Sequence, residues 1–349
     1  MPADLSKSLV IGVSSRALFD LEEANAVFEK SGELAYAEYL LARETEPLRE
    51  GTGFRLIKAI LDLNEKAKHR LDQRGMTRHY RPCEVVVLSK NSPATSYCLF
   101  NSIEHHGLDI QRAVLSGGRT LAPYVKAFGV DLYLSAYEED VRSVLNAGIA
   151  AAVIYGTPSE IADPTDQIRI AFDGDAVLFS DEAEQIYKQQ GFEAFIAHEK
   201  ERAIKPLPDG PFARLLRTLS QLQKDEVFEK PPIRTALVTA RNMPAHLRVL
   251  NTFRAWGVHV DEAFFLGGVP KTKILRAFNP HIFFDDQDAH CRPASGVVST
   301  GRVPYGITSE PPATADPIQS IQAKPTSVIR KKAPKKKPPR NGNKKQSQQ

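Results

Sequence analysis

An internal repeat constrains the fold of this chain more than any other feature. The segment that begins at Ile11 aligns without gaps on the segment that begins at Ile170, and Gly32 falls over Gly191. A second block then aligns "AVLSGG" on "AFFLGG" in an equally steady register. Because chance similarity rarely keeps glycines and prolines in step for so long, we infer a duplication in which both parts share one fold.

Each repeat alternates apolar runs with helical patterns. Runs such as "LVIGV" and "EVVVL", and later "IRIAF" and "TALVT", are typical of buried parallel strands, and "PFARLLRTLSQLQK" is typical of an amphipathic helix. The alternation predicts an α/β fold of two tandem doubly wound, Rossmann-like halves with small helical insertions. We expect one domain at 1–160, a second at 161–310, and a linker rich in Pro, Asp and Ser at 156–167.

The remaining residues, 311–349, differ in composition from both halves. They carry ten Lys and Arg against one acidic residue, so the rest of the chain is net negative although the total is +4. We expect a disordered basic tail, which is either simply solvated or in contact with polyanions. No run of about 18 apolar residues and no signal-peptide pattern occurs, which predicts a cytoplasmic protein with no membrane partner.

Polar side chains follow the predicted strands of the second half, at the point where each strand ends. Because the carboxyl ends of parallel strands meet at one edge of a sheet, we expect these side chains to share a crevice. Clustered carboxylates repel one another, and a hard divalent cation such as Mg²⁺ removes that repulsion. The pattern alone indicates a phosphatase or phosphotransferase. The residues are Asp173, Asp175, Thr239, Lys271, Asp285 and Asp286.

The order of these residues resembles the motifs of the haloacid-dehalogenase-like phosphatase superfamily, with "DGDAV", Thr239, Lys271 and the pair "DD" at 285–286 in sequence. Longer segments, among them "VSSRALFDLE", "HEKERAIKPLPDGP" and "HIFFDDQ", resemble the cytosolic 5′-nucleotidase type I family over roughly 8–310. The resemblance implies Mg²⁺-dependent hydrolysis of nucleoside 5′-monophosphates, AMP or deoxynucleotides. Two alternatives stay open: a phosphatase or phosphotransferase that acts on another small phosphate ester, and a non-catalytic nucleotide-binding regulatory protein.

The resemblance also implies roles for single residues. Asp173 would be the nucleophile that forms an aspartyl-phosphate, and Asp175 the general acid and base. Thr239 and Lys271 would bind the phosphoryl oxygens. Asp173, the backbone carbonyl of Asp175, Asp285 and Asp286 would bind the metal. Gly174, Arg241 and Asn242 are further candidates for contact with the substrate.

The first half keeps the repeat but lacks the carboxylates. Ser14, Arg16 and Ser89 stand at the positions of Asp173, Asp175 and Thr239. We therefore expect a degenerate domain that packs against the catalytic one. An alternative is a relic anion site at these three residues for a nucleotide effector, ADP or GTP. The sequence leaves open whether the protein forms a homo-oligomer.

Two further groups in the second half have plainer interpretations. His281 and His290 flank the acidic pair and suggest zinc, but carboxylate-rich surroundings favour Mg²⁺. The cap insertion carries four aromatic residues, one of which would stack on a base, although aromatics at helical spacing more often belong to a core. They are Tyr187, Phe192, Phe195 and Phe212.

Overall fold

Ten strands form one sheet in the computed structural model, which describes residues 5–76, 80–155, 166–241 and 245–306. Most of the predicted linker, Asn242 and the basic tail lie outside the described residues. The strands are β1 Leu9–Val13, β2 Cys83–Ser89, β3 Arg112–Leu115, β4 Leu132–Ser135, β5 Ala150–Ile154, β6 Ile168–Phe172, β7 Ile233–Thr239, β8 Glu262–Phe265, β9 Ile282–Asp285 and β10 Thr300–Arg302.

The strand order is the same in both halves. The sheet runs β3-β2-β1-β4-β5-β10-β9-β6-β7-β8. Counted from its outer edge, each half places its third strand first, followed by its second, first, fourth and fifth strands. All neighbours within a half are parallel, whereas β5 and β10 are antiparallel and pair Arg302 with Val153. The carboxyl ends of the strands therefore face one edge of the sheet in the first half and the opposite edge in the second. The predicted α/β class with a mainly parallel sheet is confirmed.

Helices connect the strands, as the alternating pattern predicts. None of the helices in the described part of the chain is long and apolar enough to cross a membrane. They are α1 Ser15–Leu18, α2 Glu22–Leu41, α3 Phe54–Gln73, α4 Tyr97–His105, α5 Ala122–Ala127, α6 Glu138–Asn146, α7 Glu182–Glu201, α8 Ala213–Gln223, α9 His246–Trp256, α10 Lys271–Phe278 and α11 Asp288–Ser295.

The cap insertion of the second half is a hairpin of two short helices. A straight helix of 20 residues is about 30 Å long, yet Arg202, just past the end of α7, lies 2.8 Å from Glu182 at its start. The reversal occurs at Gly191, whose φ of 86° is a conformation that glycine adopts without strain. Helix α2 breaks in the same way at Gly32. We call α7 the cap hairpin.

The two halves share one apolar core on one face of the sheet. Ile57 of α3 and Leu216 of α8 are fully buried in a single cluster with residues of β1 and β6. On the other face each half has its own cluster, around Tyr133 in the first half and around Phe283 in the second. The division into domains at residue 160 stays a prediction.

Matching hydrogen bonds occur at matching positions of the repeat. In the first half the Leu48 amide donates to Ser102 Oγ at 2.9 Å. In the second half the Leu207 amide donates to Thr252 Oγ1, also at 2.9 Å. Each bond gives the backbone amide of a loop residue a side-chain partner. The aligned sequences thus keep one local contact with different hydroxyl residues.

The ungapped alignment is wrong by one residue just after the first strand of each half. The Gly51 amide bonds to the Leu18 carbonyl, while the Gly210 amide bonds to the Leu178 carbonyl, so Leu178 rather than Val177 matches Leu18. The second half fits its extra residue by placing Ala176 at φ 59°. The first half has the short helix α1 at this point instead.

Candidate active site

Three neighbouring strands bring the predicted site residues of the second half together. Strand β6 lies between β7 and β9, and all three are parallel. Asp173 directly follows β6, Thr239 ends β7 and Asp285 ends β9. The Asp173 amide donates to the Phe284 carbonyl at 2.7 Å, which fixes the backbone at the strand end. The sequence pattern correctly placed these three residues at one edge of the sheet.

Three buried carboxylates form the centre of this edge. Oxygen atoms of Asp173, Asp285 and Asp286 all lie within 4.8 Å of one another. Lys271 Nζ lies 2.8 Å from Asp173 Oδ1 and 2.6 Å from Asp285 Oδ2. The three carboxylates offer several hard oxygen donors in a small buried space, a donor set that fits a divalent cation.

The two carboxylates beside Lys271 differ in acidity. Burial raises the pKa of Asp173 to about 7, and the neighbouring charges of Asp285 and Asp175 add to the rise while Lys271 opposes it. Burial would also raise the pKa of Asp285, but Lys271 and His290 outweigh it and lower the pKa below its ordinary value. Asp285 is therefore the firmly ionised carboxylate next to the ammonium.

Thr239 and Gly174 adjoin this cluster. Thr239 is buried, and its Oγ1 accepts a hydrogen bond from the Arg241 amide at 3.2 Å. A Cβ added at position 174 would lie 3.3 Å from both Thr239 Oγ1 and the Phe179 ring. Gly174 therefore lets the turn after β6 pass close to the hydroxyl at the end of β7.

Asp175 is directed to a different partner. Its two carboxylate oxygens accept from Arg241 Nε at 2.8 Å and Arg241 Nη2 at 2.6 Å. Arg241 also contacts Glu199 of the cap hairpin. The structure therefore places Arg241, a sequence candidate for substrate contact, against the carboxylate of Asp175. Sequence reasoning missed Glu199, although the repeat sets this glutamate over an apolar residue, Leu40.

The two histidines that suggested zinc do not lie together. His290 Nδ1 lies 3.3 Å from Asp285, at the carboxyl end of β9. His281 precedes β9, and its Nδ1 accepts from the Arg169 amide at 3.1 Å. The two rings are thus at opposite ends of one strand, and the acidic cluster is the candidate metal site.

The cap aromatics divide between core and surface. Phe212 is fully buried, as a core interpretation predicts. Tyr187 and Phe192 are 51% and 54% exposed and contact each other and Phe195. The core interpretation is wrong for these two because they lie near the exposed turn of the hairpin, where the aromatic rings pack on one another.

The corresponding edge of the first half has no acidic cluster among the described residues. Ser14 Oγ caps α1 by accepting from the Ala17 amide, and Ser89 Oγ lies 3.0 Å from Ser15 Oγ. Arg16 donates to both carboxylate oxygens of Glu22, at 2.8 and 2.9 Å. The guanidinium that would receive an effector phosphate thus holds a carboxylate of its own chain, and the effector site stays a prediction.

An α/β sheet with buried carboxylates after adjacent parallel strands defines a class of proteins that bind ligands at the carboxyl edge of the sheet. A family model described as 5′-nucleotidase matches residues 1–310. The chain belongs to the 5′-nucleotidase family, which confirms the family predicted from the motifs.

A curated relative gives the same family. Human cytosolic 5′-nucleotidase 1B is 37% identical over 315 residues, which cover 88% of this chain and 50% of the relative. The chain therefore spans about half the length of that protein. No solved structure matches the chain.

Proposed function

We propose that this protein is a cytosolic phosphoric monoester hydrolase that converts nucleoside 5′-monophosphates, AMP or deoxynucleotides, to nucleosides and phosphate. The observation that carries the proposal is the convergence of Asp173, Asp285 and Asp286 within 4.8 Å beside a buried lysine. The family supplies the nucleotide as substrate, and the name of the human relative supplies the compartment.

Asp173 acts as the nucleophile in this proposal. One of its carboxylate oxygens bonds to phosphorus while the bond between phosphorus and the nucleoside O5′ breaks, and the bond electrons go to O5′. Asp175, protonated from solvent as the substrate binds, transfers that proton to O5′, so the nucleoside leaves as an alcohol and an aspartyl-phosphate stays on the enzyme. A water oxygen then bonds to phosphorus while the bond between phosphorus and the Asp173 oxygen breaks. Asp175 takes up the proton of the water, and the Asp173 carboxylate and inorganic phosphate are released.

Thr239 and Lys271 serve the transferred phosphoryl group. The Thr239 hydroxyl and the Lys271 ammonium are fixed before substrate arrives, the first by burial at the end of β7 and the second by two carboxylates. Donors held in place by the protein stabilise developing charge without reorganising during the reaction. Lys271 also reduces the repulsion between Asp173 and a phosphate dianion.

Mg²⁺ would be held by four groups, which are the carboxylates of Asp173, Asp285 and Asp286 and the backbone carbonyl of Asp175. When bound, the cation would offset the negative charge of three carboxylates and a phosphate. The donor set supports this choice, since it consists of oxygen ligands from short acidic side chains.

We further propose that the two halves are copies of one haloacid-dehalogenase-like domain and that only the second is catalytic. Identical strand order and the matched bonds of Leu48 and Leu207 support a common origin. Serine and alanine at 135–136 in place of Asp285 and Asp286 support the loss of metal chemistry in the first half.

A panel of phosphate esters tests the proposed activity. Purified protein is incubated with AMP, deoxynucleoside monophosphates and sugar phosphates, with Mg²⁺ or with EDTA, and phosphate release is measured. We expect release from nucleotides that needs Mg²⁺ and disappears in the Asp173→Asn variant. Faster release from sugar phosphates would identify a different phosphatase, and nucleotide binding without release would identify a regulatory protein.

A further inference from the structure

A chain of alternating charges runs from Asp175 to the base of the cap hairpin. Beyond the Asp175 pair, Arg241 Nη1 lies 2.6 Å from Glu199 Oε2. Arg248 Nη1 lies 2.7 Å from the other oxygen of Glu199, and Arg248 Nη2 lies 3.4 Å from Glu182. Glu182 and Glu199 belong to the two arms of the cap hairpin. The carboxylate proposed as proton donor is therefore connected to both arms.

The middle of this chain is almost completely removed from water. The side chains of Glu199, Arg248 and Arg241 are 0%, 1% and 3% exposed. Taking a charged group out of water is costly, and replacing a buried ion network by apolar residues of similar volume is often neutral or stabilising. Folding stability alone is thus a weak reason for three buried charges at this position.

The first half offers an internal comparison. The repeat places Leu40 at the position of Glu199 and Cys98 at the position of Arg248. Both are buried in one apolar cluster with Leu21 and Ala24. The same helical hairpin is therefore held to its domain by apolar contacts in the half that lacks the carboxylates. At these two positions the second half has buried charges where the first half has apolar side chains.

We propose that Arg241 and Glu199 are positioning residues that align Asp175 with the leaving oxygen when the cap hairpin is seated. The inference rests on the proposed function, in which Asp175 gives its proton to O5′ as the phosphorus–oxygen bond breaks. Arg241 holds the carboxylate by two hydrogen bonds, and each carboxylate oxygen keeps a second position for the substrate. Glu199 fixes Arg241 and transmits the position of the hairpin.

A comparison of two leaving groups tests this role. The substrates are AMP and its analogue with sulfur in place of O5′, whose thiolate leaves without a proton. We expect Arg241→Gln to lower kcat for AMP about 100-fold, the lower range for general acid catalysis, with KM nearly unchanged. The loss on the sulfur analogue is much smaller, and Arg241→Lys restores part of the activity on AMP.

A different pattern would overturn the proposal. A raised KM with equal losses on both substrates would mean that Arg241 binds the substrate directly. Wild-type kcat in Arg241→Gln would mean that the ion pair has no part in the reaction. If the wild-type protein releases no phosphate from any nucleotide, the proposed function falls as well. Activity of the wild type with uniform losses in the variants overturns only the positioning role.

A double variant separates this role from folding. Glu199→Leu with Arg248→Cys copies the residues of the first half and leaves Arg241 paired with Asp175. Thermal unfolding confirms that the double variant is folded, and we expect the same selective loss of kcat on AMP. Wild-type kinetics in this folded double variant would exclude coupling through the hairpin. Arg217→Gln, which breaks a surface pair with Asp209, is the matched control and leaves both substrates unaffected.

Discussion

Lys271 Nζ lies 2.6 Å from Asp285 Oδ2, and both side chains are buried. Asp173 lies on the other side of the same ammonium. The lysine is therefore the cationic partner that the structure provides for two carboxylates of the cluster, and its removal leaves them without that compensation.

The first prediction concerns this ammonium. Lys271→Met should lower kcat by about 100-fold or more, the range found when one preorganised donor to a developing charge is removed. The variant should also be less stable without divalent cation because its buried carboxylates repel. Phosphate release and thermal unfolding with and without Mg²⁺ measure both effects. A variant with wild-type kcat would exclude Lys271 from phosphoryl binding.

The second prediction concerns the metal. Mg²⁺ should raise the unfolding temperature of the wild-type protein, because a ligand that binds only the folded state stabilises it. Asp286→Asn removes one of three carboxylates and should require more than tenfold higher Mg²⁺ for the same rise. Differential scanning fluorimetry across a Mg²⁺ titration gives the two midpoints. Glu262→Gln, a change on β8 away from the cluster, is the control and should keep the wild-type midpoint.

The third prediction concerns stability in acid. Burial, with help from Arg55 and Arg169, lowers the pKa of His281 from 6.5 to about 4. Well above pH 6.5 the ring is neutral in both the folded and the unfolded protein. As the pH falls below 6.5, His281 binds a proton in the unfolded chain but not in the folded protein. The free energy of unfolding therefore falls. The contribution of His281 between pH 7 and pH 4.5 is about 2–3 kcal/mol.

His281→Asn provides the measurement. The asparagine carbonyl can still accept from the Arg169 amide but does not titrate. Urea unfolding at the two pH values should show a smaller loss in the variant than in the wild type. Equal losses would mean that His281 is protonated in the folded protein. At the matching positions of the first half, the Asp131 carboxylate accepts a hydrogen bond from the Val10 amide, as His281 does from the Arg169 amide.

The fourth prediction concerns nucleotide effectors. If ADP or GTP activates the enzyme at the edge of the first half, its phosphate must displace Glu22 from Arg16, because the two are already paired. Glu22→Gln should then lower the effector concentration for half-maximal activation, and Arg16→Ala should abolish activation. The ratio of rates with and without effector reports both. Activation that persists in Arg16→Ala would place the effector elsewhere.

Much of the fold and most of the cluster could be predicted from the sequence because both depend on local patterns. Apolar runs mark the strands, and the residue after each run lies at the carboxyl edge. The burial of Asp173 and Asp285 beside Lys271 follows from that geometry. The alternation of strands and helices likewise fixes the class of fold.

The rest depends on contacts between residues far apart in sequence. No local pattern shows that Asp175 meets Arg241 or that Glu199 joins two arginines, since 42 residues or more separate these partners. The extra residue at Ala176 is hidden because the alignment returns to register before Gly191. The exposure of Tyr187 and Phe192 depends on where the hairpin turns, which helical spacing does not reveal.

The antiparallel meeting of β5 and β10 relates the halves as a twofold axis relates two subunits that join their sheets edge to edge. Each half pairs with the inner edge strand of the other, so neither β5 nor β10 is left open to pair with another protein chain. An isolated second half would expose the backbone of β10 and part of the shared core, which favours aggregation. The first half is therefore needed for the fold of the second, whatever chemistry it keeps.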